Sequence, residues 1–291
     1  MLKEKIVLTI AGSDPTGGAG IQADIKTIER HGLYPCSVVT VITAQNATEF
    51  TGQWPVDSHI VQSQLESILK DCHPEAVKIG MLGNVESIKS IASLIKSFNL
   101  DNIVLDPLLS PTLWQKEIDN SFVDSMIKEL IPLATIVTPN LKEKEIIEKA
   151  SGEDLVNLCN SLLVKGGHSD KDEIQDVLYI KDKSPEFQQI SSSAFPTISF
   201  GHSRLYDSDS LLPPPDTDQE RIIAKEFNNK RIKSSNTHGT GCILSSAIAC
   251  NLASGYHLEK AVLLAIKFTN NAIRKASYYH LFKGEYGPAL V

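Results

Sequence analysis

The chain has 291 residues, 42% of them hydrophobic, enough to bury the core of one large domain or two small ones. Its 28 basic and 35 acidic residues leave a formal charge of −7, which argues against nucleic acid or an anionic membrane as the main partner, since both reward a basic face. A phosphorylated small molecule stays open, because a few backbone amides and one cation suffice to hold a phosphate.

Residues 6–11 are the first of a series of short apolar runs rich in Val and Ile. This run enters a glycine-dense turn, Ala11-Gly12-Ser13-Asp14-Pro15-Thr16-Gly17-Gly18-Ala19-Gly20, which is neither a Walker A loop nor GxGxxG. Such a turn either brings backbone close to a ligand or is simply tight. A helix with Ile21, Ile25 and Ile28 on one face is expected next. Apolar runs follow at 37–44, 76–82 and 102–109, and Val85, Ile88, Ile91, Ile95 and Phe98 mark a helix between the last two. Asp106, ahead of a proline, reads as a turn former or as an acid on a metal–phosphate side.

Phe122, Met126, Ile127 and Leu130 outline another helix, and the run at 135–139 then leads into Asn140 and Glu143. That spacing is a capping box. It also places an amide and a carboxylate at a strand's carboxyl end, where α/β sheets bind ligands, and both readings can hold at once. The run at 162–165 ends on Lys165-Gly166-Gly167-His168, whose lysine either neutralises phosphate or is solvated. A further run spans 176–180. Residues 184–218 carry SSS, PPP and several aspartates without a helical or strand period, and read as a mobile surface insertion or as a lid or partner-binding loop.

Residues 231–235 lead into Thr237-His238-Gly239-Thr240-Gly241-Cys242, a glycine-rich helix entrance. The first amides of a helix have no internal partners and sit at the positive end of its dipole, so this corner can hold the charge on a transferring phosphoryl group. Cys242 on the first turn is expected to feel the same field, with a lowered thiol pKa that lets it take a proton from an attacking hydroxyl. The competing reading is a structural helix start with a buried cysteine. Helices over 243–253, closed by Gly255, and over 258–275 complete the chain.

Continuous apolar runs alternating with helical periods predict βαβ units, a parallel sheet covered by helices on both sides, and one α/β domain over residues 1–291. Five scattered cysteines, none at CxxC spacing, build neither a disulfide framework nor a zinc site, and Cys36, Cys72, Cys159 and Cys250 read as small buried hydrophobes. No signal-peptide pattern or span of about 20 apolar residues is present, so the expected compartment is the reducing cytoplasm.

The order of motifs carries a resemblance. LTIAGSDPTGGAGIQADIKT, TAQN, KIGML, VLDP, TPNLKEKE, VKGGH, NTHGTGC and EYGPAL together resemble the hydroxymethylpyrimidine/phosphomethylpyrimidine kinases of the ribokinase superfamily, over about residues 5–182 and 233–288. The resemblance implies a three-layer α/β/α sandwich of ribokinase type, ATP and Mg2+ dependence, and two successive phosphorylations of the pyrimidine. By position it implies Gln45, Gly12, Asp24 and Met81 in the substrate pocket and Cys242 as the base. It also implies Gly239, Thr240 and Gly241 in the anion hole, Asn140 and Glu143 in the superfamily's NxxE metal and phosphate motif, and Asp106 as a metal-side acid with Glu143; Lys165, on the residue reading above, is the further candidate on the cofactor side. An amide such as Gln45 suits an aminopyrimidine, offering a donor and an acceptor to a ring nitrogen and its amino group. Two stretches depart from the family pattern: Ser110 to Gln115 replaces a Ser-Gly element, and the segment 151–161 is shorter than the helix usual there.

The implied partners are ATP and a small pyrimidine, with neither nucleic acid nor membrane; a homodimer is compatible with a sequence that does not set oligomeric state. Two rivals stand beside this reading. One is a pyridoxal or pyridoxine kinase. The other is a catalytically silent relative that binds pyrimidine and regulates a partner, against which the retention of Cys242, Gly239, Gly241, Asn140 and Glu143 weighs.

Overall fold

The computed structural model describes residues 4–109, 119–167, 172–182, 221–280, 282 and 287–291. The insertion expected at 184–218, the departure at 110–115, His168 and part of the EYGPAL motif lie outside these residues. Every apolar run of the sequence contributes a strand. β1 (Ile6–Ser13), β2 (Tyr34–Gln45), β4 (Ala76–Ile79), β5 (Ile103–Leu105), β6 (Ile136–Val137), β7 (Ser161–Val164) and β8 (Glu173–Asp182) all form. Two more strands, β3 (Phe50–Pro55) and β9 (Arg221–Lys230), escape the pattern. β9 is exposed along most of its length, with Phe227 its one buried residue, so its sequence lacks a continuous apolar run. The sheet has nine strands in the order β3-β2-β1-β4-β5-β6-β7-β8-β9, parallel from β2 to β7 and antiparallel at both edges. Since Asp182 pairs with Arg221, residues 183–220 join neighbouring ends of β8 and β9.

Helices cover both faces. On one side lie α2 (Ser58–Asp71), α3 (Val85–Ser97), α4 (Asn120–Ser125), α5 (Leu141–Ser151) and the one-turn α6 (Leu155–Leu158), which occupies the shortened stretch before β7. On the other lie α1 (Gly20–Arg30), α7 (Thr240–Ala253) and α8 (Leu258–Ala276). Successive strand residues divide between these layers: Leu8 and Ile10 pack with Val61, Leu65 and Ile88, whereas Val7 packs with Ile28, Ala247 and Ile248. A strand buried on both faces needs apolar residues at odd and even positions, which is why its sequence runs continuously hydrophobic. The architecture is the three-layer α/β/α sandwich, with a mostly parallel sheet.

Two features position the site. α7 is buried on every side from Cys242 to Ala253 and packs across β1, β4 and β5, so its N-terminus is fixed over the strands' carboxyl ends. The run at 102–109 yields only a three-residue strand, because Pro107 lacks an amide hydrogen and Leu108 takes φ +32°, turning the chain out of the sheet directly after Asp106.

Candidate active site

A cavity of about 480 Å³ opens at the carboxyl ends of the parallel strands. Sites for small molecules span roughly 300–1,000 Å³, and in open α/β sheets they lie where the strand order reverses. Here the reversal falls between β1 and β4, since β2 lies on one side of β1 and β4 on the other. Gly12 at the end of β1 and Met81 just past β4 both line the cavity there. A Cβ on Gly12 would come within 3.0 Å of the Met81 sulfur, so the glycine makes room for that side chain.

Gln45 ends β2 and lines the same cavity together with Thr43 and Phe50. Gln45 is in register with Phe50 of β3, past a bulge at Ala44. Paired residues of an antiparallel ladder share one face of the sheet, which brings a hydrogen-bonding amide and an aromatic ring to one wall. Asp24 departs from expectation. It is fully buried and does not line the cavity: its carboxylate accepts hydrogen bonds from Thr9 Oγ1 at 2.6 Å and Ser246 Oγ at 2.7 Å, and pairs with Lys78 Nζ at 2.7 Å. On α1 its side chain points down between helix and sheet. Lys78 is the group that reaches the cavity from this network. Burial alone would depress its ammonium; Asp24, Cys242 and Asp106 outweigh that and hold the pKa above the usual lysine value.

The glycine-rich corner forms the mouth of α7. Gly239 is the N-cap, with φ +79° and no side-chain cap, and a Cβ there would stand 1.8 Å from the Gly18 carbonyl oxygen. Only glycine combines that φ with so close an approach. The N–H groups of Gly241 and Cys242 find no acceptor among the described residues, and both residues line the cavity. Gly20, the first residue of α1, lines the same corner, and its backbone amide is a minor influence that lowers the Cys242 thiol pKa. Two helix N-termini thus converge on one corner.

Cys242 itself corrects the expectation of a lowered pKa. Burial raises the thiol, Lys78 pulls it back, and Asp24 and Asp106 push it up again, leaving it at about 11. The helix field is present, but at 7% exposure desolvation of the thiolate outweighs it.

Across the cavity stand Asp106, Asn140, Glu143 and Lys165. Asn140 and Glu143 do form the capping box: Asn140 N–H donates to Glu143 Oε2 at 2.8 Å, and Glu143 N–H to Asn140 Oδ1 at 2.9 Å. Both residues nevertheless line the cavity. Lys165 is not merely solvated, because its Nζ pairs with Asp106 Oδ1 at 2.8 Å. Burial depresses the ammonium, and Asp106 and Glu143 outweigh it, holding the pKa up. Asp106 is fully buried, with Thr138 Oγ1 at 3.5 Å and Ser245 Oγ at 3.4 Å.

Sequence reasoning missed Lys78, Phe50 and the pairing of Asp14 with His238. The first carried a signal, a lone cation inside a continuous apolar run. Phe50 carried none, since β3 has no alternation. No helix among the described residues is long and apolar enough to cross a membrane.

The family model for phosphomethylpyrimidine kinase matches residues 14–199 and 217–288. The hydroxymethylpyrimidine/phosphomethylpyrimidine kinase of Rhizobium meliloti is 34% identical over 295 residues, covering 97% of this chain and 95% of the relative. A putative hydroxymethylpyrimidine/phosphomethylpyrimidine kinase 2 of Schizosaccharomyces pombe is 34% identical over 268 residues, and the chain spans only 47% of its length. Among solved structures, the phosphomethylpyrimidine kinase of Clostridium difficile superposes with a TM-score of 0.68 at 31% identity, over 93% of this chain and 100% of that one. An ADP complex of Bacillus subtilis pyridoxal kinase gives 0.74 at 26% identity, over 99% and 97%. The matched stretches include both the glycine turn after β1 and the mouth of α7, so the chain belongs to the phosphomethylpyrimidine kinase family.

Proposed function

We propose that the chain, acting as a single kinase domain, transfers a phosphoryl group from ATP to the hydroxymethyl oxygen of 4-amino-5-hydroxymethyl-2-methylpyrimidine, and then a second one to the resulting monophosphate. The observation that carries this reading is one shared cavity in which an amide suited to an aminopyrimidine, Gln45, meets helix-mouth amides, those of Gly241 and Cys242, that find no acceptor among the described residues. Solved relatives support the nucleotide: pyridoxal kinase of Staphylococcus aureus is known in complexes with ADP and with AMP-PCP.

In this reading Gln45 binds the ring edge, with Gly12 and Met81 shaping the pocket floor. The Gly239–Cys242 backbone stabilises the equatorial oxygens of the migrating phosphoryl group, whose transition state demands placement and charge stabilisation more than covalent help. Lys165 and Asn140 hold the triphosphate side. Cys242 accepts the hydroxyl proton, at a cost set by its raised pKa. Asp106 and Glu143 are buried carboxylates on the cavity wall, the hard oxygen donors magnesium takes together with substrate phosphates, so the donor set fits that ion. Magnesium would neutralise charge on the triphosphate.

One observation favours a second reading. Pyridoxal kinases superpose on this chain with TM-scores of 0.73–0.75, above the 0.68 of the phosphomethylpyrimidine kinase, although at lower identity. Turnover of hydroxymethylpyrimidine and of pyridoxal, measured side by side with ATP and magnesium, decides between them. A higher kcat/KM for the pyrimidine is expected; a higher value for pyridoxal would reverse the assignment, and no turnover of either would leave the silent relative.

A further inference from the structure

The mouth of α7 has no side-chain cap of its own, yet its backbone must be held to within fractions of an ångström to act on a phosphoryl group. What holds it is visible on either side. Asp14, only 2% exposed, knots the turn after β1: its carboxylate accepts from Thr16 N–H at 2.8 Å, Thr16 Oγ1 at 2.9 Å and Ala19 N–H at 2.8 Å. The fourth bond leaves the turn and reaches His238 Nε2 at 2.8 Å, across 224 residues of sequence, on the residue immediately before Gly239.

The imidazole has little freedom to leave this position. A Cβ on Gly18 would meet its Cδ2 at 2.7 Å and Pro288 Cβ at 2.8 Å, so ring, turn and C-terminal segment are in mutual contact. The backbone of His238 is pinned as well, donating to Gly287 O at 3.1 Å and accepting from Ala289 N at 3.2 Å. Burial pushes the Asp14 carboxyl up, and the hydrogen bonds from His238 and Thr16 outweigh it, bringing it down to about 2. The carboxylate is therefore ionised at any working pH and remains an acceptor for all four donors.

We infer that Asp14 and His238 are positioning residues for phosphoryl transfer: their hydrogen bond ties the glycine turn after β1 to the mouth of α7 and sets where the Gly241 and Cys242 amides point. The inference rests on the kinase reading above, and it assigns His238 no proton transfer.

The test compares His238→Ala, which removes the tie, with His238→Gln, whose Nε2 donor can restore it. His238→Ala leaves the Asp14 bonds to Thr16 and Ala19 in place, so the turn keeps its own knot. We expect His238→Ala to lower kcat on hydroxymethylpyrimidine by about ten- to a hundredfold with KM for both substrates within about twofold, and His238→Gln to recover most of the loss. Unchanged kcat in His238→Ala would overturn the inference, and so would a loss that His238→Gln fails to repair, since that would make the imidazole a proton carrier. Hydrogen exchange at 239–243 reads the tie without turnover. Faster exchange in His238→Ala, restored in His238→Gln, is expected, and equal exchange in all three proteins would refute the tie. Should the wild-type chain phosphorylate nothing, the kinase reading falls, while exchange still decides whether the tie exists.

Discussion

The raised pKa of Cys242 turns the proposed proton transfer into a measurable pH dependence. A thiol at about 11 is ionised to roughly one part in a thousand at pH 8 and one in a hundred at pH 9. If the thiolate accepts the substrate's proton, kcat rises about tenfold per pH unit across this range, because the form that works is the deprotonated one and its fraction climbs until pH reaches the pKa. The sign for stability is the opposite. The folded-state pKa lies above the ordinary thiol value of 9.0, so the burial of Cys242 favours the native state fully below about pH 9, and that contribution is lost as pH rises toward 11. The profile is therefore read between pH 7 and 9, by single-turnover quench with saturating ATP and magnesium. In parallel, Cys242→Ala should keep pyrimidine affinity and lose about a hundred- to ten-thousandfold in turnover. A flat profile together with near-normal turnover of Cys242→Ala would show that the sulfur takes no proton and that the amides alone carry the step.

Three further outcomes follow from the geometry. Gln45→Ala should raise KM for hydroxymethylpyrimidine about tenfold, as expected for one lost polar contact, with KM for ATP unchanged; steady-state kinetics in both substrates checks this. Gly239→Ala places a methyl 1.8 Å from the Gly18 carbonyl at φ +79°, so the helix mouth must move; the same assay should show kcat falling by at least about a hundredfold. Lys78→Met strands the Asp24 carboxylate without its ion pair and should cost about 3–5 kcal/mol in a denaturant melt, while Lys78→Met combined with Asp24→Leu costs less than Lys78→Met alone.

The sheet's centre was legible because burial on both faces favours apolar residues at odd and even positions: Val7 faces one helix layer and Leu8 and Ile10 the other, and the one polar residue among them, Thr9, is buried with its hydroxyl bonded to Asp24. The edges were not. β3 and β9 have a solvated side, and in β9 the apolar residues Ile222, Ile223 and Phe227 neither alternate nor run on as a continuous stretch. Within the site, the box at Asn140 and Glu143 and the helix entrance at Gly239 were readable because each depends on near neighbours in the chain. What lay beyond reach were distant pairs. Nothing about Asp14 announces His238, and nothing about Asp24 announces Lys78, because each is settled by how α1 and α7 lie on the sheet. The charge state of Cys242 failed for the same reason, since helix position is local while desolvation is tertiary.

Those distant pairs share a logic. Asp14, Asp24 and Asp106 surround the mouth of α7, each 2% exposed or less, and each is engaged: Asp24 and Asp106 by the ammonium groups of Lys78 and Lys165, and Asp14 by the hydrogen bonds of Thr16, Ala19 and His238. An uncompensated carboxylate here would repel a phosphate, and an uncompensated cation would bind it equally in ground and transition states, which brings no acceleration. With the Lys78 and Lys165 ammonium groups already held by Asp24 and Asp106, positive potential at this corner comes also from fixed backbone dipoles at the starts of α1 and α7. These need no reorganisation as charge shifts from donor to acceptor oxygen, and the burial that holds Cys242 as a thiol makes the same dipoles count for more. The cost to the sulfur and the gain at the amides arise from one low-dielectric pocket, so a variant that hydrates the corner should ease ionisation of Cys242 and still slow transfer.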